Sequence, residues 1–158
     1  MSKVVCPGSF DPITFGHLDI IERASKIFDE VVIAVLVNKT KSTLFSVDER
    51  IEMIKEVTKK FKNVSVDSWS GLLVEYCANN NISMIVKGLR AVSDFDYELQ
   101  MSQINLQLKG IETIFMSTSP VHSFLSSSLV KEIANYGGDV SNYVPAEILS
   151  RLKTRLAR

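Results

Sequence analysis

The chain holds 158 residues, with 18 Lys and Arg balancing 18 Asp and Glu, a length that suits one domain with its own core and a charge balance that offers nucleic acid no general basic field. Its longest apolar run, Val31–Val37, falls far short of the roughly 20 residues of a membrane-spanning helix, and the N-terminus shows no signal-peptide pattern. Cys6 and Cys77 lie far apart with no CxxC neighbour, so neither a disulfide framework nor a cysteine metal site is expected, and the reading is a soluble cytoplasmic protein with both thiols buried as small hydrophobes.

In chain order, a strand at Val4-Val5 comes first and runs into the loop Pro7–His17. An amphipathic helix follows, with Leu18, Ile21, Ala24 and Ile27-Phe28 on one face. The second strand, Val31–Val37, ends in Asn38-Lys39-Thr40-Lys41-Ser42. Ser46 and Glu49 then stand at capping-box spacing and open a helix carrying Ile51, Ile54, Val57 and Phe61 on its apolar face. A third strand, Val64–Val66, is followed by a helix through Leu72-Leu73 to Ala78. After a fourth strand, Met84–Val86, come Lys87-Gly88-Leu89-Arg90 and a longer helix from Asp94 to Leu108. A fifth strand, Thr113–Met116, leads to Ser123–Ser128, where a helix opens that should end at Gly137-Gly138. A last helix, Ala146–Leu156, follows Pro145. Strand and helix alternate throughout, without repeats or a linker. The expectation is one α/β domain over residues 1–158, a Rossmann-like doubly wound parallel sheet of about five strands.

Ligands of such sheets bind beyond the carboxyl ends of the strands. The loops there carry glycines, hydroxyls and cations: Gly8, Ser9, Gly16 and His17 after the first strand, Lys41 after the second, Lys87, Gly88 and Arg90 after the fourth, and the Ser126–Ser128 run after the fifth. Each is weak alone. A histidine beside a glycine turn also occurs as a packed or capping residue, lysines at strand ends are commonly just solvated, and a serine run before a helix is commonly an N-cap. Converging on one crevice, they form the donor set that a polyphosphate needs. Gly16 is read as easing the chain into the helix. His17 then sits near the helix N-terminus, where the partial positive charge favours a neutral imidazole donating one N–H. Neither GxxxxGK[ST] nor GxGxxG occurs.

PGSFDPITFGH (Pro7–His17) resembles the G-x-FDP-x-x-x-GH signature of the nucleotidylyltransferases. KGLRAVSDFDYELQM (Lys87–Met101) and SFLSSSLVKE (Ser123–Glu132), with DERI, GLL and GGDVS, resemble the bacterial phosphopantetheine adenylyltransferase family in particular, over nearly the whole chain. The resemblance implies a single nucleotidylyltransferase domain that makes dephospho-coenzyme A and pyrophosphate from ATP and 4'-phosphopantetheine. It implies acceptor contacts from Ser9, Lys41, Leu73 and Lys87. It implies ATP contacts from Ser9, Phe10, His17, Gly88, Leu89, Arg90, Glu98 and the run His122, Ser123, Phe124, Leu125, Ser126, Ser127 and Ser128. His17, Lys41 and Arg90 are the expected catalytic set, with His17 stabilising the transition state. Ser9 stands where many relatives have Thr, Lys87 where many have Arg, and His122 where an aromatic residue often sits. A homohexamer and feedback by coenzyme A are implied by the same resemblance; no nucleic-acid or membrane partner is.

The chemistry is consistent with that implication. The acceptor phosphate is itself the nucleophile, so the protein needs no nucleophile of its own and works by positioning and charge stabilisation. Mg²⁺ is expected as cofactor, held mainly by substrate phosphates and water, with no protein ligand assigned. Three rival readings stand beside this one: a transferase of the same fold acting on another phosphate acceptor or on CTP, a non-catalytic nucleotide-binding module, and a structural interaction domain. A binding module would have no use for acceptor-side lysines, and an interaction domain leaves the polar loops unexplained.

Overall fold

Successive side chains of a strand point to opposite faces, so an apolar run with no polar alternation must be covered on both sides. The central strands follow that rule. The structure, a computed structural model, describes residues 1–90 and 92–157; Ala91, within the segment Lys87–Met101 that carries the family resemblance, lies outside them. Five parallel strands, β1 (Lys3–Gly8), β2 (Glu30–Leu36), β3 (Val64–Trp69), β4 (Met84–Leu89) and β5 (Glu112–Ser117), form one sheet in the order β3-β2-β1-β4-β5. Six helices connect and cover them: α1 (Phe15–Ile27), α2 (Val47–Thr58), α3 (Leu73–Asn79), α4 (Val92–Lys109), α5 (Ser127–Asn135) and α6 (Ala146–Leu156).

On one face Val4, Cys6, Val31 and Val86 pack with Ile20 and Ala24 of α1, continuous with Ile33 and Val35 under α2, α5 and α6. On the other, Val5, Val32, Ala34 and Ile85 pack with Val74 and Cys77 of α3. α4 lies on that second side, where Phe95 meets Phe115 of β5 edge to face. Its flank keeps Tyr97, Ile104, Leu106 and Leu108 exposed. The expected doubly wound sheet is therefore the one observed. The strand order reverses between β1 and β4, and this places the switch point at their carboxyl ends.

Strands outrun their apolar cores toward that end. Lys87, Gly88 and Leu89, expected as the loop after the fourth strand, are its last residues, in register with Phe115, Met116 and Ser117 of β5. They interrupt the apolar pattern because Lys87 and Gly88 face the cleft beyond the core. α5 begins at Ser127, with Ser126 as its N-cap, and ends as anticipated: Gly137 takes φ +82, and the N–H groups of Gly137 and Gly138 donate to Ala134 and Ile133 carbonyls. The Ser46–Glu49 capping box forms as expected, with both reciprocal bonds present.

Both cysteines are free and buried, and burial pushes the Cys6 thiol up to about 12 and that of Cys77 to about 11. Thiolate is the reactive form. The folded protein should leave both thiols unmodified by a disulfide reagent at pH 8, and the denatured protein should react at both, a difference that spectrophotometric thiol titration reads directly.

Candidate functional site

The loop joining β1 to α1 turns at Phe10, which adopts φ 49 although it is not glycine. Its ring folds inward and meets the His17 imidazole edge-on, with ring centroids 5.0 Å apart. A Cβ at Gly8 would come within 3.0 Å of the same ring, so Gly8 is what makes room for the turn. This revises the part given to Gly16. That residue already belongs to α1, and a Cβ there would meet nothing nearer than Thr14 Oγ1 at 3.5 Å; its bareness leaves space in the cleft it lines rather than making a turn.

Thr14 caps α1, and His17 is the third residue of the helix. The Thr14 hydroxyl accepts the His17 N–H, and the Thr14 N–H donates to His17 Nδ1 at 3.0 Å. Histidine thus takes the place of Glu in a capping box. A main-chain N–H only donates, so Nδ1 must hold a lone pair and the ring proton sits on Nε2. Burial, and then the charge of Arg90, lower the imidazole pKa to about 4. The ring is neutral at pH 7, with a single N–H to give. Local bonding thereby secures the form that the helix N-terminus alone suggested.

Around this histidine lie two adjoining hollows. One, of ≈ 320 Å³, is lined by Phe10, Gly16, His17, Gly88, Arg90 and Leu125–Ser128. The other, of ≈ 810 Å³, is lined by Ser9, Lys41, Trp69, Leu73, Lys87 and Glu98 among others. Pro7, Lys87 and Arg90 line both and form their boundary. All four residues expected on the acceptor side, Ser9, Lys41, Leu73 and Lys87, thus share one hollow. Of those expected around ATP, Phe10, His17, Gly88, Arg90, Leu125, Ser126, Ser127 and Ser128 share the other. Glu98 stands on the acceptor side, 3.4 Å from Lys87, and Ser9 also lines that side. Leu89, His122, Ser123 and Phe124 line neither hollow. The His122 ring stacks on Phe15, the Ser123 hydroxyl donates to the Pro120 carbonyl, and Phe124 is 57% exposed beside Tyr143.

The head of α5 is built for an anion. Its first N–H groups, those of Ser127 and Ser128, precede the first intrahelical bond, in which Val130 donates to Ser126. The Ser126 hydroxyl oxygen accepts from Leu129, which leaves its proton to donate. The Ser127 hydroxyl donates to the Pro12 carbonyl at 2.7 Å, so this serine offers the cleft its main-chain N–H and not its side chain. Arg90 holds the loop before α5 by donating to the Leu125 carbonyl at 2.9 Å, and Asp94 faces its guanidinium at 3.4 Å.

Three residues outside the sequence reading hold these loops in place. Arg50, 2% exposed, donates to the carbonyls of Ser9, Leu36 and Ser46. Asp11, 3% exposed, accepts from the N–H groups of Leu44 and Phe45 and pairs with Lys131. One signal was available for Arg50: it falls on the buried stripe of α2 with Met53, Ile54 and Thr58, where a charge needs a reason. Among the described residues no group of three or more His, Cys, Asp or Glu could hold a metal ion.

The comparisons agree with this geometry. The family model for cytidylyltransferase-like proteins matches residues 5–133. The phosphopantetheine adenylyltransferase of Frankia casuarinae is 61% identical with 100% of both chains covered, and that of Streptomyces coelicolor is 59% identical with 99% of this chain and 98% of the relative covered. A solved structure from Vibrio parahaemolyticus, bearing the provisional name nicotinate-nucleotide adenylyltransferase, superposes with TM-score 0.69 over 99% of this chain and 95% of its own at 17% identity, a likeness of fold. With its switch-point cleft, its FDP…GH loop and relatives matched end to end, the chain belongs to the cytidylyltransferase-like nucleotidyltransferases and, within them, to the phosphopantetheine adenylyltransferase family.

Proposed function

We propose that residues 1–158 act as one nucleotidylyltransferase domain that transfers AMP from ATP to 4'-phosphopantetheine, giving dephospho-coenzyme A and pyrophosphate. The observation that carries this reading is the pair of adjoining hollows with Lys87 and Arg90 on their shared boundary. Two phosphates must meet where the hollows join, and that is where fixed cations stand. ATP occupies the hollow between His17 and α5, and the acceptor occupies the hollow bounded by Ser9, Lys41 and Leu73.

An acceptor phosphate oxygen attacks the α-phosphorus in line; the new phosphoanhydride bond forms as the bond from the α-phosphorus to the bridging oxygen breaks. Pyrophosphate leaves with that electron pair. The attacking phosphate is ionised at neutral pH, so no proton has to be taken from it. The protein's work is orientation and charge stabilisation. Lys41 and Lys87 hold the acceptor phosphate. His17 Nε2–H, Arg90 and the N–H groups at the head of α5 bind the triphosphate and the charge that grows on it. A Mg²⁺ bound with the triphosphate would supply further charge neutralisation. Asp11, Asp94 and Glu98 each face a cation, at 2.8, 3.4 and 3.4 Å, so such an ion would be held mainly by substrate phosphates and water.

The remaining readings concern assembly and setting. The exposed apolar flank of α4 supports self-association, and we assign the chain to a homohexamer. Coenzyme A combines a pantetheine arm with an adenylate, so it can span both hollows and serve as a feedback ligand. No described helix is long and apolar enough to cross a membrane, and cytoplasmic placement accords with the free cysteines.

Pyrophosphate release with ATP and 4'-phosphopantetheine, singly and together, tests the reading. Release should need both, and release with CTP or with another acceptor in their place would overturn it. His17→Ala should lower kcat by about 10²–10³, with a smaller change in the KM for ATP, since one donor to developing charge is lost; a packing role would instead lower Tm and leave kcat intact. His17 also sets a pH dependence. The unfolded imidazole takes a proton near about pH 6.5 and the folded one only near 4, so stability falls as pH drops through that interval. Urea melts at pH 7 and pH 5 should show a smaller loss for His17→Gln than for wild type.

A further inference from the structure

We propose that Lys131 is a positioning residue for the acceptor, although it stands on α5, the helix that serves ATP. The inference rests on the assignment of the two hollows given above. Lys131 lines neither of them. Its ammonium lies 2.8 Å from Asp11 Oδ2, and the Asp11 carboxylate is almost wholly buried. The same carboxylate accepts the Leu44 N–H through Oδ2 and the Phe45 N–H through Oδ1, both at 2.9 Å.

One buried charge therefore has partners from two segments, α5 on one side and the stretch just beyond Lys41 on the other. Leu44 is anchored from its far side too, since Arg155 of α6 donates to its carbonyl at 2.7 Å. A buried carboxylate is aimed by the partners that face it, and the Lys131 ammonium is the one that reaches Asp11 from α5. Remove the ammonium, and Asp11 loses the partner that aims Oδ2, so the carboxylate is free to turn. Its grip on the two main-chain N–H groups then weakens. Leu44 lies three residues from Lys41, so the loop that presents Lys41 to the acceptor phosphate loses its fixed end. α5 itself remains docked by the Ser127 hydroxyl on the Pro12 carbonyl. The effect should thus appear on the opposite side of the cleft from the residue that was changed.

Lys131→Met should raise the KM for 4'-phosphopantetheine about tenfold and leave that for ATP within about twofold, the coupling expected of residues sharing one ion-paired network. It should also speed hydrogen exchange at the Leu44 and Phe45 amides, and Lys131→Arg, which keeps the charge, should restore both. Should Lys131→Met fail to fold, Lys131→Gln, which keeps a donor without the charge, is judged by the same two readouts. A rise in the KM for ATP alone would overturn the proposal, as would unchanged KM values and exchange rates accompanied only by a lower Tm. If the wild-type protein releases no pyrophosphate from these substrates, the functional reading fails instead, and amide exchange alone decides the role of Lys131.

Discussion

A guanidinium sealed from water must find acceptors for its donors, and Arg50 finds them in three main-chain carbonyls, two at the carboxyl ends of β1 and β2 and one at the cap of α2. Ser9 begins the turn after β1, Leu36 closes β2, and Ser46 caps α2. None of these carbonyls can drift without leaving a buried donor or acceptor unpaired, an outcome that costs about 1–3 kcal/mol per group and more where a charge is involved. Burial pulls the Arg50 pKa down and the Asp11 charge pushes back. The two loops that present Ser9 and Lys41 are thus fastened from beneath by polar bonds. Apolar packing alone would hold the strands but would not fix the carbonyls that shape the cleft.

On that base the site divides its labour by element. α1 supplies an imidazole whose tautomer is determined by the cap of its own helix. α5 supplies main-chain N–H groups, and β4 supplies Lys87 at the seam. Gly88 lets α1 lie close to the sheet: a Cβ there would come within 3.0 Å of Ile20, one turn beyond His17 on α1. The spacing between sheet and helix, and with it the depth at which His17 stands, depends on that bare backbone. Preorganisation of this kind suits a transfer in which the substrates bring both nucleophile and leaving group.

Legibility from the sequence followed the range of the interaction. Strand and helix order, the Ser46–Glu49 box and the Gly137 stop are written within a few residues of themselves, and they were readable. Convergence of Ser9, His17, Lys41, Lys87, Arg90 and the serine run on one end of the sheet followed from the topology rule. The bonds that orient the site were out of reach because they join distant residues: Arg50 to Ser9 across 41 positions, Asp11 to Lys131 across 120. The role first given to Gly16 shows a subtler limit. A glycine next to a turn invites the conformational explanation, but the left-handed residue is Phe10, held there by burial of its ring against His17. The His17–Thr14 capping box was local and still hidden, since histidine rarely fills the place of Glu in that pattern.

The locked imidazole bears on the direction of the reaction. With Nδ1 occupied by a main-chain donor and the ring neutral well above pH 4, His17 at neutral pH offers the cleft a hydrogen bond to give and no base. A site that moves no proton meets the forward and backward transfers with the same groups in the same ionisation states. One phosphoanhydride is broken and another made, so the bonds exchanged are of one kind and the transfer can run either way. Net flow toward the adenylylated product is then drawn forward by whatever drains pyrophosphate from solution.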